Sequence, residues 1–292
     1  MMAEPEFFRP DTVEEAVRLL AEGGEEARAL SGGATLVAMM NARLVEARRL
    51  VSLSGIAELA ETRREADGTV RLGAMRRHRQ TAFETGFTGG QQVVARAASR
   101  IANPPVRNMG TIGGSIAFAD PAADYPPALV AADARVEIAG PEGRREVPAE
   151  AFFHGWYMTD LEPGEIVTAV LVPPAPEGSV GHYEKLARVA GDFALASVAL
   201  NMALDGEGRI AALRLAVGGC GGGPVRVEEA EAALTGARPA EAAATGAADL
   251  IAEALDPVDD VRGSAAYRLR VAPRLVLKAL AEAGATPLRE VS

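Results

Sequence analysis

Residues 103–126 read NPPVRNMGTIGGSIAFADPAADYP, and few folds accept so many backbone-special residues in one run. A residue before proline is driven out of the α region, so Asn103-Pro104-Pro105 is expected to end the helix before it. Gly113 and Gly114 remove two Cβ atoms and let the backbone come close to whatever lies beside it. Ile112, Ile116 and Phe118 are placed to anchor the same stretch in a core, and Asp120 and Asp124 follow.

A second glycine pair lies in ALSGGATL (29–36). Residues 27–30 read as a buried strand, Ser31-Gly32-Gly33 as a tight turn, and a helix starts near Ala34 or Thr35. N–H groups exposed at such a turn favour a phosphate. Taken singly, the first pair reads equally as a plain strand-to-helix turn, and TIGGS (111–115) as a bulge or turn in the core. Neither fits the phosphate-loop or dinucleotide glycine patterns. Both on one chain, with a carboxylate some ten residues after the second, point to a phosphate-bearing nucleotide with a ribose or ribityl chain.

The pattern along the chain is α+β. Val13, Ala16, Val17 and Leu20 follow helical spacing behind Asp11 or Thr12 as cap, and Leu36, Met39 and Met40 share a helix face. Strands are expected at 49–53, 69–75, 134–139 and 164–173, and helices at 91–102 and 127–132. Pro173 to Gly178 has linker composition. Beyond it come three strands (182–189, 194–204, 209–219), with Asp205-Gly206-Glu207-Gly208 as a hairpin turn. Helices follow near 226–235, 240–255 and 264–283, the last kinked or split at Pro273.

Several chemistries are disfavoured. A net charge of −10 and a pI near 5.0 argue against a nucleic-acid partner. One cysteine, Cys220, permits no intrachain disulfide and no all-cysteine metal or iron–sulfur site. With no base nearby in sequence, Cys220 is not a nucleophile, and GGCGGGP (218–224) reads as a connecting turn. His78, His154 and His182 lack metal-site spacing. His78 is expected on a solvated basic face, His154, Trp156 and Tyr157 in a core or interface, and Arg188–Asp192 as a structural pair. No apolar run approaches a membrane span and no export signal is seen, so a cytoplasmic chain is expected. With no nucleophile motif or acid–base carboxylate pair, bond chemistry falls to a bound cofactor.

At this point four segments together resemble the FAD-binding medium subunit of molybdenum hydroxylases, close to the carbon monoxide dehydrogenase medium chain and xanthine dehydrogenase FAD subunit group. They are ALSGGATLV, IANPPVRNMGTIGGSIAFADPAADYPPAL, TDLEPGEIVTAVLVP and YEKLARVAGDFALASVAL. The resemblance implies a two-subdomain FAD-binding domain of the vanillyl-alcohol oxidase / p-cresol methylhydroxylase type over residues 1–176 (subdomains 1–56 and 57–176). A C-terminal α+β domain over 177–292, a three-stranded antiparallel sheet plus helices, would follow. It places the FAD pyrophosphate on Ser31, Gly32, Gly33, Ala34 and Thr35, flanked by Ala29, Leu30 and Leu36, and on Thr111, Ile112, Gly113, Gly114 and Ser115. Asp124 matches the flavin-holding carboxylate, Ile101, Val167 and Lys185 match further contacts, and Lys185 would stabilise a reduced, anionic ring. Ala34 stands where the family often has a polar residue, and Phe193 replaces a tyrosine near the ring, keeping a stacking surface without the hydroxyl. Some relatives carry an inserted iron–sulfur loop, which one cysteine cannot supply.

The implied function is electron relay, with no catalytic or metal-ligating residue on this chain. Electrons would pass from [2Fe–2S] centres of a small subunit through FAD to NAD+, quinone or another acceptor, beside a large molybdenum-cofactor subunit, as a dimer of heterotrimers. A stand-alone FAD oxidase or dehydrogenase and a non-enzymatic nucleotide-binding assembly protein remain open alternatives at this stage.

Overall fold

The computed structural model describes residues 4–285. The chain begins with β1 (Glu6–Phe8), α1 (Val13–Gly23), β2 (Ala27–Leu30), α2 (Leu36–Asn41) and β3 (Arg49–Ser52). Thr12 caps α1, its hydroxyl accepting from Glu15 N at 3.2 Å, and Val13, Ala16, Val17 and Leu20 are buried as their spacing predicts. The three strands form a parallel sheet in the order β1-β3-β2. The first glycine segment thus starts from a simple unit in which β2 runs straight into residues 31–36.

The middle of the chain comprises β4 (Thr62–Arg64), β5 (Val70–Gly73), α3 (His78–Ala82), α4 (Gln92–Arg100), α5 (Pro104–Met109), α6 (Ile112–Phe118) and α7 (Tyr125–Ala131). Then come β6 (Arg135–Gly140), β7 (Gly143–Pro148), α8 (Ala149–Phe152), β8 (Phe153–Gly155), β9 (Met158–Thr159) and β10 (Ile166–Val172). The main sheet is antiparallel, in the order β4-β5-β10-β6-β7. Ile112, Ile116, Tyr125, Leu129, Val136, Ile138 and Val170 fill its core. Burying each such side chain contributes on the order of 2 kcal/mol.

Two expectations change here. Pro104 and Pro105 do follow the end of α4, but they also open α5: Asn103 Oδ1 accepts from Val106 N at 3.1 Å, and proline at the first helical position loses no hydrogen bond. TIGGS is a helix start rather than a bulge. Thr111 caps α6 through Gly114 N at 3.1 Å, and both glycines lie in its first turn.

The C-terminal part carries β11 (Val180–Leu186), β12 (Ala196–Leu204), β13 (Ile210–Gly218), β14 (Val225–Arg226), α9 (Glu228–Leu234), α10 (Ala247–Ala254) and α11 (Ala265–Ala285). Its antiparallel sheet has four strands, not three. The extra one, β14, is two residues long and pairs with Ala216 and Val217, too short to leave an alternating pattern. The 205–208 turn forms as expected, with the Asp205 carboxylate accepting from Glu207 N and Arg209 N. Pro273 is accommodated inside one continuous α11. One sheet face packs on α9–α11, while Tyr183, Ala199 and Ala216 enter the middle core against α4 and α7. Among the described residues no helix is long and apolar enough to cross a membrane.

Candidate functional site

A cleft of about 630 Å³ lies where the three sheets' loops meet. Its floor is made by the two glycine segments side by side. Ser31 Oγ and Thr111 Oγ1 are 2.7 Å apart, and Ser31 Oγ also meets Met75 Sδ at 2.9 Å. The missing Cβ of Gly32 would strike Met109 O, and that of Gly113 would sit 2.5 Å from Ala74 Cβ. The glycines therefore admit the chain to itself, clamping the segments together. Gly33 has φ +74°, where a Cβ is strained whatever the space.

The hydrogen bonding of the two segments differs. In the second, every early donor is used within the chain. Ile112 N donates to Arg76 O (2.9 Å), Gly113 N to Ala74 O (2.9 Å), Gly114 N to Thr111 Oγ1 (3.1 Å) and Ser115 N to Thr111 O (3.0 Å). In the first, the N–H groups of residues 32–36 meet no acceptor among the described residues, and all five residues line the cleft. Unpaired N–H groups converging on a cleft are an anion-binding arrangement.

His78 supports the second segment. It is buried, not on a solvated basic face. Its backbone N–H donates to Gly110 O (3.0 Å), its Nδ1 lies 3.2 Å from the Tyr125 hydroxyl, and its Nε2 occupies the space beside Gly110. Burial, and then the Arg107 charge, push its pKa down to about 4, so the ring is neutral at pH 7.

At the other end, Asp124 stands at the start of α7 without capping it. Lys185 Nζ is 2.9 Å from Oδ1 and 3.1 Å from Oδ2, the Tyr183 hydroxyl donates to Oδ1 at 2.6 Å, and Lys185 also donates to Arg100 O at 2.8 Å. Burial pushes the Asp124 carboxyl up, while the Lys185 charge and the Tyr183 hydrogen bond pull it back. Removing one partner of such a pair typically costs about 3–5 kcal/mol. Ile101, Val167 and Phe118 supply apolar wall, with Val167 at a register shift in β10. Phe193 is 44% exposed at the mouth, with the Arg262 guanidinium 5.0 Å over its ring.

A family model described as the FAD binding domain in molybdopterin dehydrogenase matches residues 3–175, and one described as the CO dehydrogenase flavoprotein C-terminal domain matches residues 181–283. The chain belongs to the FAD-binding medium-subunit family of molybdenum hydroxylases. It is 37% identical to the carbon monoxide dehydrogenase medium chain of Hydrogenophaga pseudoflava, over 94% of this chain and 95% of that one. It is 36% identical to the 6-hydroxypseudooxynicotine dehydrogenase complex subunit alpha of Paenarthrobacter nicotinovorans, over 95% and 94%. A solved structure of Cu,Mo-CO dehydrogenase in its cyanide-inactivated form superposes with a TM-score of 0.92 at 34% identity, covering 98% of this chain and 99% of that one.

FAD is thus the cofactor of this medium subunit. The residues fit it: free N–H groups suit a diphosphate, and Asp124 keeps acceptor capacity on the cleft. Of the residues expected at the site, the cleft brings together Ala29, Ser31, Gly32, Gly33, Ala34, Thr35, Leu36, Ile101, Thr111, Gly113, Gly114, Ser115, Asp124, Val167 and Phe193. Leu30, Ile112 and Lys185 are not on its wall. Ile112 is fully buried in the middle core, Leu30 packs beside Gly33, and Lys185 stands behind Asp124. Sequence reasoning missed His78, Leu161 and Glu165 on the wall, and Phe118, taken only as an anchor, lines it as well. Asp120 closes a turn, Oδ1 accepting from Ala122 N at 2.9 Å, while also lining the cleft.

Of the other notable side chains, Asp192 lines the cleft and the rest fall outside its wall. Cys220 is buried, and burial pushes its thiol up to about 11, so it is no nucleophile. Arg188 and Asp192 pair at 3.2 Å as expected. Trp156 and Tyr157 are exposed rather than core. His182, Glu184 and Glu282 bring ligand atoms within 4.8 Å, but Lys278 Nζ already bridges Glu184 and Glu282 at 3.0 and 3.6 Å.

Proposed function

We propose that this chain is the electron-relay subunit of a molybdenum hydroxylase, accepting electrons from [2Fe–2S] centres of a small partner subunit. They leave to NAD+, a quinone or another acceptor, and substrate is oxidised on a large molybdenum-cofactor subunit. The assembly is a dimer of heterotrimers in the cytoplasm. The observation that carries this reading is a cleft onto which five backbone donors open that meet no acceptor among the described residues, with a held carboxylate beside them, in a family of oxidoreductase subunits.

Bound FAD supplies the exchange between one-electron and two-electron carriers. The protein's part is to bind, orient and exclude water. Residues 32–36 would present backbone donors to the diphosphate and stabilise its charge by hydrogen bonding. Thr111 ties the two segments so that the cleft keeps its width. Ile101, Val167 and Phe118 form apolar wall, and Phe193 offers a ring at the mouth.

Affinity purification of the tagged chain from its native host, with metal and flavin analysis, tests the reading. Recovery of Mo, Fe and FAD with two further chains is expected. A chain recovered alone, turning over a small alcohol or aldehyde by itself, contradicts it.

A further inference from the structure

Residues 160–165, DLEPGE, join β9 to β10, and two of them, Leu161 and Glu165, line the cleft. The loop leads from one core to another: Ile166, just beyond it, is buried with α1 and β3, and Val167 with the main sheet. Inside the loop, Glu165 N donates to Glu162 O at 3.0 Å and Glu162 N to Glu165 Oε2 at 2.8 Å, while Gly164, at φ +84°, lies against Ala21 of α1. From outside, Arg145 of β7 grips both ends. Its Nε donates to Glu165 Oε1 at 2.9 Å and its Nη2 to Oε2 at 2.7 Å, a bidentate fork, and the same guanidinium bonds the carboxylate and the backbone carbonyl of Asp160. The fork holds the Glu165 carboxyl below the ordinary carboxylate range. Gly140 of β6 makes room for this arrangement, since a Cβ there would sit 2.6 Å from Glu165 Cγ. Arg145 itself is not on the cleft wall.

We propose that Arg145 is a positioning residue of the FAD cleft, gripping both ends of the 160–165 loop so that Leu161 and Glu165 stand as cleft wall. It acts only through that loop. This rests on FAD as the cofactor of the cleft. The geometry needs a guanidinium: its planar fork serves the Glu165 carboxylate and Asp160 together, whereas a lysine ammonium is a point charge that cannot fork. His154 Nε2 lies 3.3 Å from Asp160 Oδ1 and so touches one end of the loop only.

The test is the FAD dissociation constant of the full chain, measured by flavin fluorescence quenching, with thermal melting for stability and the visible circular dichroism of bound flavin for its surroundings. Arg145→Met is expected to bind FAD about tenfold more weakly and to change the flavin dichroism, because the wall loop is released. Arg145→Lys keeps the charge without the fork and is expected to recover only part of that loss. Gly140→Ala leaves Arg145 in place and pushes Glu165 off the fork. It is expected to weaken FAD binding by about threefold or more and to shift the dichroism in the same direction.

An Arg145→Met chain that folds, melts lower and yet binds FAD with wild-type affinity and dichroism overturns the proposal, because Arg145 then serves stability alone. Arg145→Lys indistinguishable from wild type overturns it too, because charge without the fork then suffices. Should Arg145→Met not fold, Gly140→Ala with wild-type FAD affinity and dichroism overturns it instead. A wild-type chain that binds no FAD defeats the FAD assignment itself, an outcome separate from variants of a binding chain that behave as wild type.

Discussion

The two glycine segments look alike in sequence and do different work. ALSGGATL leaves five consecutive N–H groups without an acceptor among the described residues, while TIGGS spends all of its early donors on Arg76, Ala74 and its own Thr111. The first leaves its donors open on residues that line the cleft. The second is already complete, and its glycines serve close packing against Ala74 at the cleft floor. A glycine pair beside a nucleotide cleft therefore does not by itself identify a phosphate loop; the destination of each N–H does.

Four changes would break or sharpen this contrast, with decreasing effect. The largest concerns His78, the support of the second segment. Its folded pKa, about 4, lies below the unfolded value near 6.5. The unfolded chain therefore binds the extra proton first, and stability is lost as pH falls from 6.5 towards 4, by about 3 kcal/mol in total. Chemical denaturation at several pH values should show that slope in wild type and a shallower one in His78→Gln.

Next comes Gly113→Ala. Its Cβ would press on Ala74 at 2.5 Å and on the Ala74 carbonyl oxygen at 2.8 Å, so overpacking of about 2 kcal/mol is expected. For a chain of this size the melting temperature should drop by roughly 3 °C. FAD affinity should change only as far as the fold does.

Gly33→Ala should behave in the opposite sense. At φ +74° it costs about 1 kcal/mol in stability, yet it disturbs the free donors, so FAD binding should weaken by about tenfold or more. A loss of stability without a change in FAD affinity would place the diphosphate elsewhere.

The smallest effect is expected in the coupling between Ser31→Ala and Thr111→Val, which break the hydroxyl bridge between the segments, the second also removing the cap of α6. A double-mutant cycle should give a coupling of about 1 kcal/mol.

Much of this was legible before any coordinates. Helical spacing in α1, the strand-to-helix turn at 27–36 and the hairpin at 205–208 are local signals, and each formed as read. The errors share a cause. Gly113 and Gly114 are poor helix formers, so TIGGS reads as a turn; the neglected signal was Thr111, a good N-cap, and the same holds for Asn103 before Pro104. Other misses depend on distant partners. His78 is buried because Tyr125 meets it 47 residues away, and Lys185 faces Asp124, 61 residues away. Neither pairing leaves a periodic trace, so a neutral core histidine looked solvated and the ion pair between Lys185 and Asp124 went unread.

Backbone amide hydrogen exchange with and without FAD tests the contrast between the segments most directly. Amides of residues 32–36 should exchange fast in the cofactor-free chain and become strongly protected on FAD binding. Those of residues 112–115 should be protected already and change little. Protection gained at 112–115 with none at 32–36 would contradict the account.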